Sequence, residues 1–289
     1  MSIRNRVRQR LSGQAAIAVW GAGGMGRAAL ARWLPRERIA HLVDSNARKQ
    51  GSKLEDLEIC APETLVGQAP DCVVVCVSAY LEVFEWLDET GFKGEAYFLY
   101  DLFLPDNRKL SPLAALGVDL AVSRSTNWLA FFITKPQILV NVTYRLAAAL
   151  RPTRHVLPIY WLVAWWHYTV CWVTSIQLPL STEVGPGLLL AHPGTAVFTA
   201  RARIGAFFTI YHCCTVGTTD SGDAPVIGDF VTVYTGSHVL GGCEIGSHTR
   251  VGAMSLLLDF KCDPASVVVG APARTVRSFK TLSVDIKPS

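Results

Sequence analysis

The sequence predicts two architectures in one chain: an α/β unit in the first third and an all-β parallel solenoid in the last third. Two observations support this prediction. Near the N-terminus a glycine-rich turn joins an apolar run to a helix-like stretch, an arrangement typical of parallel α/β units. From Leu178 onward, aliphatic or aromatic residues recur at every sixth position, and a fixed short period is the mark of a solenoid. Half of the 289 residues are apolar, so the chain can bury a core in each unit.

The six-residue period can be followed residue by residue. The predicted inward-facing residues are Leu178, Val184, Leu190, Phe198, Ile204, Ile210, Val216, Ile227, Val233, Val239, Ile245, Val251 and Leu257. An α-helix would need a period of 3.6 residues and an ordinary strand a period of two. Two extra residues separate Leu190 from Phe198, and five separate Val216 from Ile227. We therefore predict a parallel β-helix over residues 176–276, with three short strands per coil and two enlarged coils.

The N-terminal unit, residues 13–104, alternates predicted strands with predicted helices. The predicted strands are residues 15–20, 39–43, 72–77 and 97–102. The first strand ends at a turn whose glycines are Gly21, Gly23, Gly24 and Gly26. Such glycines let a backbone approach a phosphate at a helix N-terminus. Asp44 follows the second strand, where a ribose-binding carboxylate lies in dinucleotide folds. The sequence thus predicts a Rossmann-like unit that binds a nucleotide or nucleotide-sugar; the alternative is that the glycines only close a turn.

The pattern from Ala15 to Phe103, with Val43-Asp44-Ser45-Asn46 and Gly51 inside it, resembles the N-terminal domain of bacterial sugar acetyltransferases that bind UDP-amino sugars. It also resembles similar domains in nucleotide-sugar-modifying enzymes. This resemblance implies a nucleotide-linked sugar as the ligand of the unit.

The segments outside the two units are predicted as tails, a linker and helices. Residues 1–12, with four arginines, are predicted as a solvated basic tail, and contact with an anionic membrane surface or a polyphosphate is the alternative. Residues 105–175 are predicted as a linker, over 105–125, followed by apolar helices. Residues 277–289 are predicted as a C-terminal tail.

One apolar segment bears on membrane contact. Residues 156–182 contain no Asp, Glu, Lys or Arg but four tryptophans. We predict a buried or interfacial helix over 156–174, packed on the solenoid or on a trimer neighbour, rather than a membrane span. The chain opens without a secretory signal, and its eight cysteines form no CxxC pair. We therefore expect a cytoplasmic protein, with peripheral membrane contact as the alternative. A net charge of +4 does not favour nucleic acid as a partner.

The C-terminal half resembles the left-handed parallel β-helix acyltransferases. The resemblance rests on the six-residue repeat, on Leu190-Ala-His192-Pro-Gly194, on Val269-Gly-Ala-Pro-Ala-Arg274, and on Lys135-Pro136 and Tyr144-Arg145-Leu146 in the helical lead-in. The branch it resembles is serine acetyltransferase-like, especially the polysaccharide-biosynthesis O-acetyltransferases. The resemblance implies an acetyl-CoA-dependent homotrimer with its active site in the groove between adjacent β-helices.

The same resemblance assigns the catalytic base to His192. A neutral imidazole suits removal of a hydroxyl proton near neutral pH. The two extra residues of this coil are predicted to form a bulge that turns His192 outward. A coil enlarged by two residues would stack His212 on His192. His212 is therefore the second catalytic candidate, as a group that orients His192 or the thioester, with a packed or solvated histidine as the alternative. No third ligand accompanies the pair, so no metal is predicted.

Acetyl-CoA is expected along the later coils. The resemblance gives as candidate contacts Thr235, Gly252, Ala253, Gly270, Ala271 and Arg274. Thr235 and Ala253 would contact the pantetheine arm, and Arg274 a phosphate. Tyr234 and Thr235 stand where the family has Gly-Ala, so a narrower channel is expected.

Two departures from true serine acetyltransferases concern the acceptor. Ala191 stands where that subfamily has Asp, and Ala224 where it has His before Pro. His192 would then be oriented by another acid or by a backbone carbonyl; Asp220 and Asp223 are candidates for that acid, and the alternative is that they are solvated loop acids. These losses favour a hydroxyl of a sugar or nucleotide-sugar in surface polysaccharide biosynthesis. Serine O-acetyltransferase and a catalytically degenerate trimeric nucleotide-binding module stay open as alternatives.

Overall fold

The computed structural model describes residues 2–68, 70–105, 109–123, 135–155 and 158–279. The chain divides into two compact units, Met1–Lys109 and Leu110–Phe279.

The N-terminal unit is built on a six-stranded sheet with the order β3-β4-β2-β1-β5-β6. Its strands are β1 Ile17–Trp20, β2 Ile39–Val43, β3 Lys53–Leu54, β4 Leu57–Cys60, β5 Cys72–Val75 and β6 Glu95–Phe98. Its helices are α1 Ile3–Arg10, α2 Gly24–Arg32, α3 Thr64–Gly67 and α4 Tyr80–Glu89. All strand neighbours are parallel except the hairpin β3–β4. Strands β1 and β5 are buried throughout, which explains their uninterrupted apolar sequences.

The strand predictions for this unit need two corrections. The fourth strand, predicted over 97–102, is shifted to Glu95–Phe98, and Leu99–Phe103 forms a 3₁₀ helix. The hairpin of β3 and β4 was not predicted, because two-residue strands carry too little alternation to be recognised.

The basic segment at the N-terminus is not a solvated tail. It forms helix α1, in which Val7 is buried. Leu11, the residue directly after the helix, is also buried and lies on the same face as Val7, four residues earlier. Arg6 is also buried, and its Nε donates to the carbonyl oxygen of Phe103 at 2.6 Å. The prediction of a solvated tail was wrong because only two apolar residues, Val7 and Leu11, form the buried contact in a segment that is otherwise rich in arginine.

The second unit contains a parallel β-helix of three sheets. Its strands are β7 Ile176–Gln177, β8 Glu183–Val184, β9 Leu189–Leu190, β10 Ala196–Phe198, β11 Arg203–Ile204, β12 Thr209–Ile210, β13 Cys214–Gly217, β14 Val226–Ile227, β15 Thr232–Val233, β16 His238–Leu240, β17 Glu244–Ile245, β18 Arg250–Val251, β19 Leu256–Leu258, β20 Lys261–Cys262, β21 Ser266–Val269 and β22 Arg274–Ser278. Every third strand joins the same sheet, and β22 closes one sheet by pairing antiparallel with β21. All the predicted inward residues are buried except Val184, which is half-buried.

The strand registers confirm both enlarged coils. Ile210 pairs with Leu190 across a coil that contains the two extra residues before Phe198. Val233 pairs with Ile210 across a coil that contains the five extra residues before Ile227. The pairing of Val251 with Val233 has the spacing of a regular coil, and the pairing of Val268 with Val251 is shorter by one residue. These offsets decide which turn residues lie above one another.

Three helices precede the β-helix within this unit: α5 Pro112–Val122, α6 Ile138–Leu150 and α7 Ile159–Thr174. The predicted linker over 105–125 is therefore wrong at α5, whose alanine-rich and leucine-rich sequence is helical behind a Ser111 cap. Helix α6 begins two residues after Pro136, within the stretch predicted as apolar helices, and residues 124–134 lie outside the described residues. Among the described helices, none has the length and apolarity needed to cross a bilayer.

Side chains of these helices complete the hydrogen bonds of the first coil. That coil has no coil before it, so the backbone groups along its edge need other partners. The donors and their carbonyl acceptors are His167 to Leu178, Tyr144 to Thr182, Arg145 to Val184 and Gly185, Asn141 to Leu188, and Gln137 to Leu190. The helices therefore cap the open end of the solenoid.

A buried ion pair lies at the centre of this cap. Arg145 Nε donates to Asp119 Oδ2 at 2.8 Å, and the Asp119 side chain is fully buried. Asp119 Oδ1 accepts from the backbone N–H groups of Gly187 at 2.7 Å and Leu188 at 3.0 Å. Two elements, α5 and α6, are thus fixed to each other and to the first coil by one charge-assisted network.

We expect Asp119→Ala to lower the free energy of unfolding by about 3–5 kcal/mol, because it leaves the Arg145 guanidinium buried without its counter-charge. Urea denaturation followed by circular dichroism measures this. The control is Glu183→Ala, which breaks an exposed pair with Arg203 and should change stability very little. Equal losses in the two variants would contradict the assignment.

Candidate active site

One corner of the β-helix collects five successive turns, each following a strand of the sheet that contains β9. The turns comprise residues 191–195, 211–213, 234–237, 252–255 and 270–273. Backbone hydrogen bonds join the first four turns: Cys213 N to Thr195 O, Gly236 N to His212 O and Met254 N to Thr235 O. Leu256 N, at the start of β19, donates to Gly270 O of the fifth turn. Because neighbouring strands are about 4.8 Å apart, the column of turns is about 19 Å long.

The coil registers, extended two residues beyond the strands, decide what stacks along this corner. They give one line of residues, His192, His212, Thr235, Ala253 and Gly270, and a neighbouring line, Ala191, Tyr211, Tyr234, Gly252 and Val269. Ala271 follows at the end of the column, and exposed Arg274 begins β22 directly after the last turn. The histidine candidates and the acetyl-CoA candidates, distant in sequence, therefore share one edge of the solenoid.

The two histidines lie in equivalent positions of successive turns, as the enlarged coil predicts, and their rings meet edge to face. Their ring centroids are 5.9 Å apart with the ring planes at 74°. His192 is exposed at the bulged turn, whereas His212 is half-buried. The Nδ1 atom of His212 is buried and has no hydrogen-bond partner among the described residues. Gly194, with φ +131°, lets the bulge pass close by, since a Cβ there would lie 3.1 Å from the Cβ of His212.

Two tyrosines form a wall beside the histidines. The ring of Tyr211 lies 5.5 Å from that of His192 and 5.1 Å from that of Tyr234. Burial and the adjacent Tyr234 phenol raise the pKa of Tyr211, so it is a neutral hydroxyl near pH 7. The Tyr234 ring therefore packs against Tyr211 in the line of residues next to that of Thr235. Tyr211 was not among the residues predicted from the sequence, although its position directly before His212 was the available signal.

Asp220 and Asp223 are at a different corner. They belong to the loop after β13, so the four residues of that strand separate them from the turn corner, a distance of about 13 Å. None of the five turns described above contains Asp or Glu. These turns therefore place no carboxylate beside His192. No group of three or more His, Cys, Asp and Glu that could hold a metal ion occurs in the described part of the chain.

Comparison with known proteins identifies relatives of this chain. The family model described as Bacterial transferase hexapeptide (six repeats) matches residues 224–259. The chain is 31% identical over 144 residues to the serine acetyltransferase of Helicobacter pylori strain J99, a match that covers 49% of this chain and 81% of the relative. The chain belongs to the serine acetyltransferase family. It is therefore an acyltransferase with a left-handed parallel β-helix, as the sequence predicted.

Other serine acetyltransferases give a consistent picture. The Mycobacterium tuberculosis serine acetyltransferase is 29% identical over 107 residues, which cover 36% of this chain and 46% of that relative. A solved structure, a serine acetyltransferase in complex with CoA, superposes with a TM-score of 0.50 over 57% of this chain and 70% of that chain. At 20% identity this likeness establishes the shared fold.

In this serine acetyltransferase family member, the N-terminal unit holds a second set of candidate residues. A Cβ on Gly26 would lie 1.7 Å from the carbonyl oxygen of Gly21, which itself has φ +114°. The turn itself thus requires both glycines. Gly23 and Gly24, in contrast, face open space, so their lack of side chains leaves the surface of the turn accessible.

Asp44 is bound to its own chain. Its buried carboxylate accepts from Ala22 N at 2.8 Å, Asn46 N at 2.9 Å and Lys49 Nζ at 2.8 Å. Burial works to raise the pKa of this carboxyl, but the hydrogen bonds from Lys49, Asn46 and Ala22 outweigh it, and the pKa lies below its ordinary value. The first role of Asp44 is thus to hold the glycine turn against β2.

A cavity of about 660 Å³ opens beside Asp44, at the carboxyl ends of β1, β2 and β5. The strand order reverses at this edge, where open α/β sheets bind ligands. Its lining includes Trp20 and Trp86, whose rings meet edge to face at 5.0 Å, and the carboxylates of Glu63 and Glu82. The cavity offers aromatic and acidic surfaces next to the glycine turn.

The lowered pKa of Asp44 predicts a pH-dependent contribution to stability. A carboxyl whose folded-state pKa is depressed stabilises the fold above its unfolded pKa, near 3.9, and loses this contribution as the pH falls through the folded value. We expect the stability difference between wild type and Asp44→Asn to shrink from pH 6 to pH 3 in urea denaturation. The exposed Asp88→Asn is the control for removing one carboxylate elsewhere in the same unit. A difference that stays constant over this range would contradict the prediction.

Proposed function

We propose that the chain is an acetyl-CoA-dependent O-acetyltransferase in which His192 is the general base. One observation carries the proposal: the exposed imidazole of His192 begins a line of stacked turn residues whose later members, Thr235, Ala253 and Gly270, have small side chains. The resemblance to β-helix acyltransferases and the family relationship support the same chemistry. We extend to this chain the homotrimeric assembly that the resemblance implies.

His192 would transfer one proton twice, first from the acceptor hydroxyl to its imidazole and then from its imidazole to the departing sulfur. An imidazole nitrogen accepts the proton of the acceptor hydroxyl while the hydroxyl oxygen bonds to the thioester carbonyl carbon. The carbon–sulfur bond then breaks, and the departing sulfur takes the proton from the imidazolium. His212 is proposed as a positioning residue, because its ring packs on His192 and its buried Nδ1 is retained at a cost in stability.

Acetyl-CoA fits the column by the nature of its surface. Thr235, Ala253 and Gly270 present short side chains in successive turns, so an extended arm could lie against their backbone. The neighbouring Gly252 adds no side chain to this surface, and a Cβ there would lie only 2.6 Å from Val269 Cγ1. Ala271 and Arg274 would contact the far end, where the Arg274 guanidinium suits a phosphate.

L-Serine is the acceptor that the comparisons favour, since the curated relatives described above are named serine acetyltransferase. The predicted sugar acceptor and the role in polysaccharide biosynthesis gain no support from those names. We therefore put serine first, and this reverses the order given by the sequence.

A sugar hydroxyl stays the second candidate because of two replaced residues and the two tyrosines on the His192 side of the β-helix. Ala191 and Ala224 replace the Asp and His that the resemblance associates with serine acetyltransferases. Tyr211 and Tyr234 instead offer flat apolar ring surface and phenol hydroxyls near the base. Such a wall suits the faces of a sugar ring better than a small zwitterion.

The N-terminal unit is proposed to be Rossmann-like and to bind a nucleotide or nucleotide-sugar. The parallel strand order, the open Gly23 and Gly24 and the adjacent cavity support this. Asp44 would act through the turn it holds rather than as a free ribose ligand.

We expect His192→Ala to lower kcat/KM for acetyl transfer by about 100-fold or more, because it removes the exposed imidazole that takes the hydroxyl proton. Mass spectrometry of the acetylated product measures it, with circular dichroism to verify folding. The exposed His155→Ala is the control and should retain full activity. A nearly active His192→Ala protein would disprove the assignment of the base.

The acceptor can be tested by restoring the two missing groups. We expect the double variant Ala191→Asp/Ala224→His to raise kcat/KM for L-serine by about tenfold or more without raising it for sugars and nucleotide-sugars. The exposed Ala200→Asp serves as the charge-matched control. If the wild type acetylates L-serine efficiently and the double variant brings no gain, the alanines do not limit serine use and the sugar alternative loses its support.

A further inference from the structure

Helix α7 has two faces of different character. The inner face consists of Ala164, His167, Val170 and Cys171, all buried. His167 is wholly buried and bonds to Thr143 Oγ1 at 2.9 Å and to the Leu178 carbonyl at 2.7 Å. The inner face therefore belongs to the cap of the β-helix, and it fixes the orientation of the whole helix.

The outer face is apolar and exposed. Its residues, with their exposed fractions, are Trp161 63%, Leu162 63%, Trp165 67%, Trp166 41%, Tyr168 53%, Trp172 83% and Val173 69%. We call these residues the aromatic face. At about 100° per residue, the four rings at positions 161, 165, 168 and 172 fall within an arc of about 60°. A surface helix normally carries charged residues here, but α7 has none.

The composition of the aromatic face indicates what covers it. Tryptophan and tyrosine have an apolar body with a polar edge, and they are enriched where a bilayer meets water. A protein interface of ordinary composition has a charged or polar rim around its apolar centre. On α7 the other exposed residues are Ile159 and Thr169, so the helix supplies no charged residue to such a rim.

The charged residues before α7 and the length of the helix also fit a membrane surface. Arg151 and Arg154 are exposed just before the helix begins, where they can reach anionic headgroups while the rings enter the interface. The helix has 16 residues, a length of about 24 Å. It is suited to lying in the plane of the interface, as amphipathic membrane-surface helices do.

We propose that the aromatic face docks the chain on the surface of a membrane that contains anionic phospholipids. The docking is independent of which hydroxyl the enzyme acetylates. It requires only that the inner face of α7 stays in the cap, with the outer face directed away from the β-helix.

The test uses the full-length protein and vesicles of defined lipid. Wild-type protein should co-sediment with vesicles of phosphatidylcholine and phosphatidylglycerol mixed in a molar ratio of two to one, and less with pure phosphatidylcholine. The variant Trp161→Ser/Trp165→Ser/Trp172→Ser should reduce the bound fraction on the order of tenfold. Its matched control, Val66→Ser/Leu113→Ser/Val276→Ser, removes three exposed apolar residues elsewhere and should bind as wild type does. Arg151→Gln/Arg154→Gln should abolish the preference for the anionic vesicles.

Two further measurements keep the proposal falsifiable. Circular dichroism and acetyl transfer to a soluble acceptor should be unchanged in the tryptophan variant, which separates loss of docking from loss of the fold or the proposed function. Sedimentation velocity reports the oligomeric state of every variant. The proposal is overturned if wild-type protein binds neither vesicle, or if the tryptophan variant binds as well as the control. If wild-type protein does not bind vesicles and the tryptophan substitutions dissociate an oligomer, the aromatic face joins copies of the chain instead.

Discussion

The open edge of the first coil is the constraint on which the second unit depends. Each coil of a β-helix satisfies its backbone groups on the coil before it, and the first coil has none. Here a fully buried Asp119 accepts from two backbone N–H groups of that edge, and Arg145 donates to two of its carbonyl oxygens. The pair is retained because the backbone groups it satisfies would otherwise be buried without partners.

The position of the candidate base follows from this cap. Gln137 bonds to the carbonyl oxygen of Leu190, only two residues before His192. The bulged turn therefore leaves a strand that is held on one side by helix α6 and on the other by strand β12. A base on such a support can point outward while its backbone stays fixed, which is what proton transfer at a defined position requires.

Insertions in a solenoid do more than lengthen loops. The two extra residues before Phe198 place His212, rather than another residue, on His192. The five extra residues before Ile227 are absorbed at another corner, so the next residue of the column is Thr235. The two enlarged coils thus align the proposed proton-transfer group with the proposed acetyl-CoA track. The same unit directs the aromatic face of α7 outward, because His167 holds the opposite face in the cap.

The sequence by itself determined the features that depend on local periodicity. The six-residue repeat predicted the β-helix, its inward residues and both enlarged coils, and counting one enlarged coil along the chain predicted the stacking of His212 on His192. Apolar runs and glycine spacing likewise predicted the four parallel strands around the glycine turn, apart from the shift of the last one.

Only the tertiary structure decided the features that depend on pairing between distant segments. Helix α5 was predicted as a linker because nothing near Asp119 in the sequence reveals Arg145 and the coil edge as its partners. Arg6 was predicted in a solvated tail because its acceptor, the carbonyl of Phe103, is 97 residues away. Asp220 and Asp223 were matched to His192 by chemistry, and the fold separated them by placing their loop at another corner. Periodicity reports which side of an element is buried, whereas long-range contacts decide what it is buried against.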